Sequence, residues 1–102
     1  MVAPNTFKFQ EDPLRNTQTV DRITTAFEEL HPGRTVAVTH EIRGTVARVR
    51  FSLVPIMDEH SENLPNFELG VVEVPVETEL TEDQLFNEPN DTMKQLEERE
   101  VA

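Results

Sequence analysis

"TVAVTHEIRGTVARVRFSLVP", residues 35–55, is the stretch whose reading decides the fold. Val36, Val38, His40 and Ile42 alternate with Thr35, Ala37, Thr39 and Glu41. Beyond Arg43-Gly44, Thr45, Ala47, Val49, Phe51 and Leu53 alternate with Val46, Arg48, Arg50 and Ser52. Period-two alternation places each set on one side of a strand, so the stretch predicts a hairpin. A two-residue turn at Arg43-Gly44 pairs Ile42 with Thr45, Val38 with Val49 and Val36 with Phe51. Every strong apolar residue except Val46 then shares one face, and Arg48 and Arg50 share the other with Thr39 and Glu41. A one-residue slip would bury the arginines, so the choice of faces is strongly specified.

Working outward, "TQTVDRITTAFEELH", residues 17–31, carries Val20, Ile23, Phe27 and Leu30 at the spacing of one helical face. Asn16, Thr17 or Thr19 can cap this helix, Asp21 is placed in its first turn, and His31-Pro32-Gly33 ends it. Residues 55–66 read as a polar, proline-bounded loop. "FELGVVEVPVETEL", residues 67–80, reads as a third strand. In it Phe67, Leu69 and Val71 share one parity and Val72, Val74 and Val76 the other. A bulge near Gly70 would bring the two sets onto one face, and Pro75 argues for a sheet edge.

The ends look different. Residues 1–15 form an N-terminal arm in which Phe7 and Phe9 fall on one side if the chain is extended. They are expected to add an edge strand to the domain or to dock on a neighbour. Thr81 and Gln84 form a capping-box pattern, with Glu82 and Asp83 suited to a helix start. Pro89 is expected to interrupt this helix, leaving a short second one that starts at Asn90 or Asp91 with Met93 and Leu96 as its few apolar contacts. The expected fold class is therefore α+β. One amphipathic helix packs on a small, mainly antiparallel sheet of three to four strands in a core of residues 16–80. An acidic helical tail, 81–102, follows. Val20, Ile23, Phe27, Val36, Val38, Val49, Phe51, Leu53, Leu69 and Val74 are the expected core.

Composition narrows the function. The chain has 102 residues, 20 acidic against 9 basic, a formal net charge of −11 and no cysteine. Acidic excess argues against nucleic acid or an anionic membrane as the main partner. The absence of cysteine removes disulfide and thiol chemistry. No apolar run is long enough to span a membrane, and the first residues lack the pattern of a secretion signal. A cytoplasmic or virion-resident protein is the expectation. His31, His40 and His60 lack metal-ligand spacing, and Asp58, Glu59 and Glu62 lack the spacing and glycine of a calcium loop. Ser52 and Ser61 have neither a glycine elbow nor an evident base. No enzyme activity, cofactor or metal is expected.

The arginines are the feature to explain. Residues 34–50 carry Arg34, Arg43, Arg48 and Arg50 against Glu41, whereas residues 77–102 carry nine acids against Lys94 and Arg99. One reading is a cross-strand ladder inside the chain, with Glu73 and Glu77 beside Arg48 and Arg50. The other is contact between subunits, with the acidic tail of one copy (Glu97, Glu98, Glu100) lying on the arginine face of the next. Arg43, Arg48, Arg50, Phe7, Phe9, Glu97, Glu98 and Glu100 are the candidate interaction residues. From about residue 17 onward, the order of helix, Pro-Gly, β-meander and terminal helix is similar to small neck and tail-completion proteins of tailed phages. The resemblance is one of element order, and it implies a structural protein that assembles through protein contacts, such as a virion subunit. The alternative is an acidic inhibitor or adaptor that occupies a basic groove on a partner, as nucleic-acid mimics do.

Overall fold

A computed structural model of the chain describes residues 5–55 and 66–101. Asp58, Glu59, His60, Ser61 and Glu62 lie outside the described residues. The fold is α+β. In chain order it comprises β1 (Thr6–Phe7), a 3-10 turn (Pro13–Asn16), α1 (Thr17–Leu30), β2 (Thr35–Arg43), β3 (Val46–Val54), β4 (Phe67–Pro75), β5 (Leu80–Thr81) and α2 (Glu82–Val101). Strands β2, β3 and β4 form an antiparallel sheet in that order, and β1 and β5 form a separate antiparallel ribbon.

The hairpin forms with the predicted faces but a different turn. Arg43 pairs with Val46, so Gly44-Thr45 is the turn, and Ile42 lies opposite Ala47, His40 opposite Val49, Val38 opposite Phe51 and Val36 opposite Leu53. Among the described residues only Glu77 and three glycines have positive φ; Gly44 stands at φ +60° and Thr45 is not among them. A glycine at the first central position, followed by a residue of ordinary φ, is the requirement of a type II′ turn. The Arg43-Gly44 turn would instead force Arg43 to positive φ. Parity is unchanged by this correction, so the two faces keep their residues.

In β4 the expected bulge forms beside Gly70. Gly70 lies opposite Phe51 and Glu68 opposite Ser52, which leaves Leu69 as the extra residue. It brings Leu69 and Val74, both buried, to the side of Phe51. Pro75 ends an edge strand, as expected.

α1 and α2 pack over β2 and β4 respectively. On α1, Ile23, Ala26 and Phe27 are buried and Val20 packs against the core, but Leu30 is 51% exposed. The buried stripe continues instead to His31, whose ring centroid is 4.8 Å from that of Phe27. Asp21 lies beyond the first turn. Asn16 precedes the helix without capping it by its side chain. That side chain is fully buried and holds the arm: Oδ1 accepts from Gln10 N–H at 2.8 Å and Nδ2 donates to Gln10 C=O at 3.0 Å.

The C-terminal segment differs most from its expected form. The capping box is present, with Gln84 N–H donating to Thr81 Oγ1 at 3.3 Å and Thr81 N–H to Gln84 Oε1 at 2.9 Å. Beyond it Pro89 does not break the helix, which runs unbroken from Glu82 to Val101. A proline inside a helix costs about 3 kcal/mol. Leu85, Phe86 and Met93 are fully buried, each contributing about 1.5–3 kcal/mol, so tertiary packing outweighs the break. The helix crosses β4 at Gly70, where a Cβ would stand 3.5 Å from Glu88 Cγ. Phe27, Phe51 and Phe86 meet at the centre with ring centroids 5.3–5.8 Å apart. Phe7 and Phe9 of the arm join the same cluster, so arm, central segment and terminal helix share one core. The acidic segment 81–102, expected to have few apolar contacts, is thus a structural layer.

Candidate interaction surface

Both helices lie on the Phe51 side of the sheet. The opposite side presents Thr39, Glu41 and Arg43 from β2, Arg48 and Arg50 from β3, and Glu68, Val71 and Glu73 from β4. Each candidate arginine has a carboxylate within this face. Arg43 Nε donates to Glu41 Oε1 at 3.1 Å along the same strand. Arg50 Nε lies 3.0 Å from Glu68 Oε1. Arg48 Nε lies 3.9 Å from Glu73 Oε1, an ion pair too long for a hydrogen bond, and this nitrogen is buried with no hydrogen-bond partner among the described residues.

The ladder therefore lies within one chain, with one change of partner. Glu73 faces Arg48 as expected, but Glu77 does not reach the arginines. It occupies the turn after β4 at φ +63°, where its N–H donates to Phe9 C=O at 2.7 Å and its carboxylate lies 3.8 Å from Lys8 Nζ. Glu68 takes its place because the Leu69 bulge shifts the register of the strand start. The three arginines and Glu41, Glu68 and Glu73 balance in charge, so this face is not the basic surface that the local sequence suggests. The two exposed pairs, Arg43–Glu41 and Arg50–Glu68, are each worth roughly 0.2–1 kcal/mol.

The other candidates separate. Phe7 and Phe9 are 2% and 1% exposed, with Phe7 5.9 Å from Phe86 and Phe9 5.7 Å from His40 between ring centroids. They are satisfied inside their own chain rather than by a neighbour. Glu97 lies 4.0 Å from His31 Nδ1, while His31 Nε2 shares a 2.7 Å hydrogen bond with Asn90 Oδ1, tying the end of α1 to α2. Glu98 is exposed. The side chain of Glu100 lies outside the described part.

An open groove of about 310 Å³ runs between β1 and α1, lined by Phe7, Asp21, Arg22, Thr25 and Glu29 among others. Arg22 covers the Phe7 ring at 5.1 Å and donates to Thr6 C=O at 3.1 Å, so its guanidinium is engaged in holding the arm. Among the described residues no group of three or more His, Asp or Glu side chains is placed to hold a metal ion. No described helix is long and apolar enough to cross a membrane.

Sequence reasoning missed the outer edge of β2. Val36 N–H points away from β3, because it donates to Glu28 Oε2 of α1 at 2.9 Å. The alternation of an antiparallel ladder then turns the N–H and C=O groups of Val38, His40 and Ile42 to the same outer side. No strand pairs with that side among the described residues. The signal in the sequence was a nine-residue strand without proline or glycine, but only the strand order shows that it is an edge. Comparison with protein-family models, with curated proteins and with solved structures finds no match.

Proposed function

We propose that the protein is a non-enzymatic structural subunit that works by assembly through protein–protein contacts, in the manner of a small virion component. The observation that supports this reading is the two-layer build. Both helices cover one side of the sheet, and among the described residues no element covers the other side, with its internally balanced charges, or the outer edge of β2. A bare, charge-balanced sheet face can be covered by a like surface without burying an unpaired charge. The arm and the terminal helix do not serve as exchanged tails in this scheme, since Phe7, Phe9, Leu85, Phe86 and Met93 are buried in their own core.

Light scattering behind gel filtration, across a wide concentration range, tests the reading. Growth of mass with concentration beyond the 11.7 kDa chain supports it. A monomer at every concentration overturns it.

A second reading draws on α2. As one continuous helix it carries Asp83, Glu88, Asp91 and Glu98 exposed on a rigid support, which suits an acidic adaptor for a basic groove. A monomer that binds immobilised polycations in a salt-sensitive manner, and loses that binding when these four residues become Asn or Gln, would favour it.

A further inference from the structure

We propose that the outer edge of β2 pairs with the β2 of a second copy, antiparallel about a twofold axis at His40, joining two three-stranded sheets into one. This inference rests on the assembly reading and names its first contact.

The two edges of the sheet are not equivalent. β4 is blunted by the Leu69 bulge and by Pro75, two devices that discourage strand addition. β2 has neither: nine residues, no bulge in its register with β3, no proline and no lysine. Val38, His40 and Ile42, whose backbone groups face outward, are each partly exposed.

The available backbone groups select both occupant and register. Val36 N–H is already taken by Glu28, and Arg43 closes the turn with Val46, so the free segment is Val38 to Ile42. Its centre is His40. Antiparallel pairing of this segment with itself sets His40 opposite His40 and Val38 opposite Ile42, each a hydrogen-bonded pair that exchanges both bonds. No available outward group on this segment is then left over. On the bare face Glu41 falls opposite Thr39, and Arg43 opposite Ala37, so no like charges stand directly opposite. On the other face His40, whose Nε2 is buried with no hydrogen-bond partner among the described residues, meets its own copy. Each chain carries −11, so this backbone-driven contact strengthens with added salt, whereas an acidic-tail-on-arginine contact would weaken.

The absence of native cysteine allows a test that reads the register. Thr39 and Glu41 are exposed, so Thr39→Cys and Glu41→Cys can be made separately without disturbing the core. Across the axis these two positions form a non-hydrogen-bonded pair with Cα atoms about 4.5 Å apart. A disulfide spans about 4.4–6.8 Å. Identical positions are diagonal, at roughly 7–8 Å, and out of reach. Oxidation of the mixed chains should give a disulfide-linked heterodimer at twice the chain mass, and each variant alone should give little. His40→Pro, which removes an outward N–H together with the imidazole that packs on Phe9, should lower the mass in solution to that of a monomer, whereas His40→Ala, which loses the imidazole and keeps the N–H, should leave the oligomer in place. An oligomer that gives no mixed disulfide overturns the β2 contact and leaves the assembly reading standing. A chain that stays monomeric at high concentration and high salt overturns both.

Discussion

The two faces of the β2–β3–β4 sheet alternate residue by residue along the same backbone and are held by different physics. On one, Phe51 meets Phe27 and Phe86 in a dry cluster under two helices. On the other, Arg48 and Arg50 stand one residue either side of Val49: Arg50 meets Glu68 in water, and the half-buried Arg48 stands 3.9 Å from Glu73. Burial of apolar area is worth kilocalories per side chain, and a solvated ion pair is worth a fraction of one. The first face should therefore carry the stability of the domain and the second should be free to serve contact.

The sharpest attempt to break this contrast is removal of α2 by ending the chain at Leu80. It strips Leu85, Phe86 and Met93 from the core, and loss of the cooperative thermal transition is expected in circular dichroism. A Leu80-terminated chain that still unfolds cooperatively would show that the tail is dispensable after all. Next in size, Phe51→Ala should cost about 3–5 kcal/mol in denaturant unfolding, since the ring is fully buried among the other two. Asn16→Ala should cost about 1–3 kcal/mol, because it leaves the partly buried Gln10 backbone groups without their partners. Faster hydrogen exchange at Phe7 to Gln10 should accompany it, localising the effect to the arm. The smallest effect is expected from Arg50→Ala, about 0.2–1 kcal/mol, falling further in high salt. A cost near that of Phe51→Ala would mean that the bare face carries structural weight and is not a free surface.

Much of this architecture was legible in the chain. Val36, Val38, Val49, Phe51 and Leu53 announce one face, because a strand has a period of two and an arginine cannot share the core. The bulge near Gly70 was legible for the same reason: Leu69 and Val74 have opposite parity and both must be buried. The turn was misplaced by one residue because faces are insensitive to a paired shift. Only the need for positive φ at the first central position selects Gly44-Thr45. Among the candidate interaction residues, Arg43, Arg48 and Arg50 do share a face, but their balance with Glu41, Glu68 and Glu73 depends on strands far apart in sequence. Phe7 and Phe9 gave no sign of whether their partner was internal, since a short apolar arm reads alike in either case.

Local patterns by themselves determined the α+β class, the parity of the hairpin, the first helix and the capping box at Thr81. Each of these depends on neighbours within a few residues, where sterics and amphipathic period act alone. Only the tertiary structure decided that Pro89 lies inside an unbroken helix, that the arm closes the core through Asn16, and that β2 is the unblunted edge. These depend on what packs against what: the burial of Leu85, Phe86 and Met93 outweighs a local helix break, and a strand becomes an edge only through the order of its neighbours.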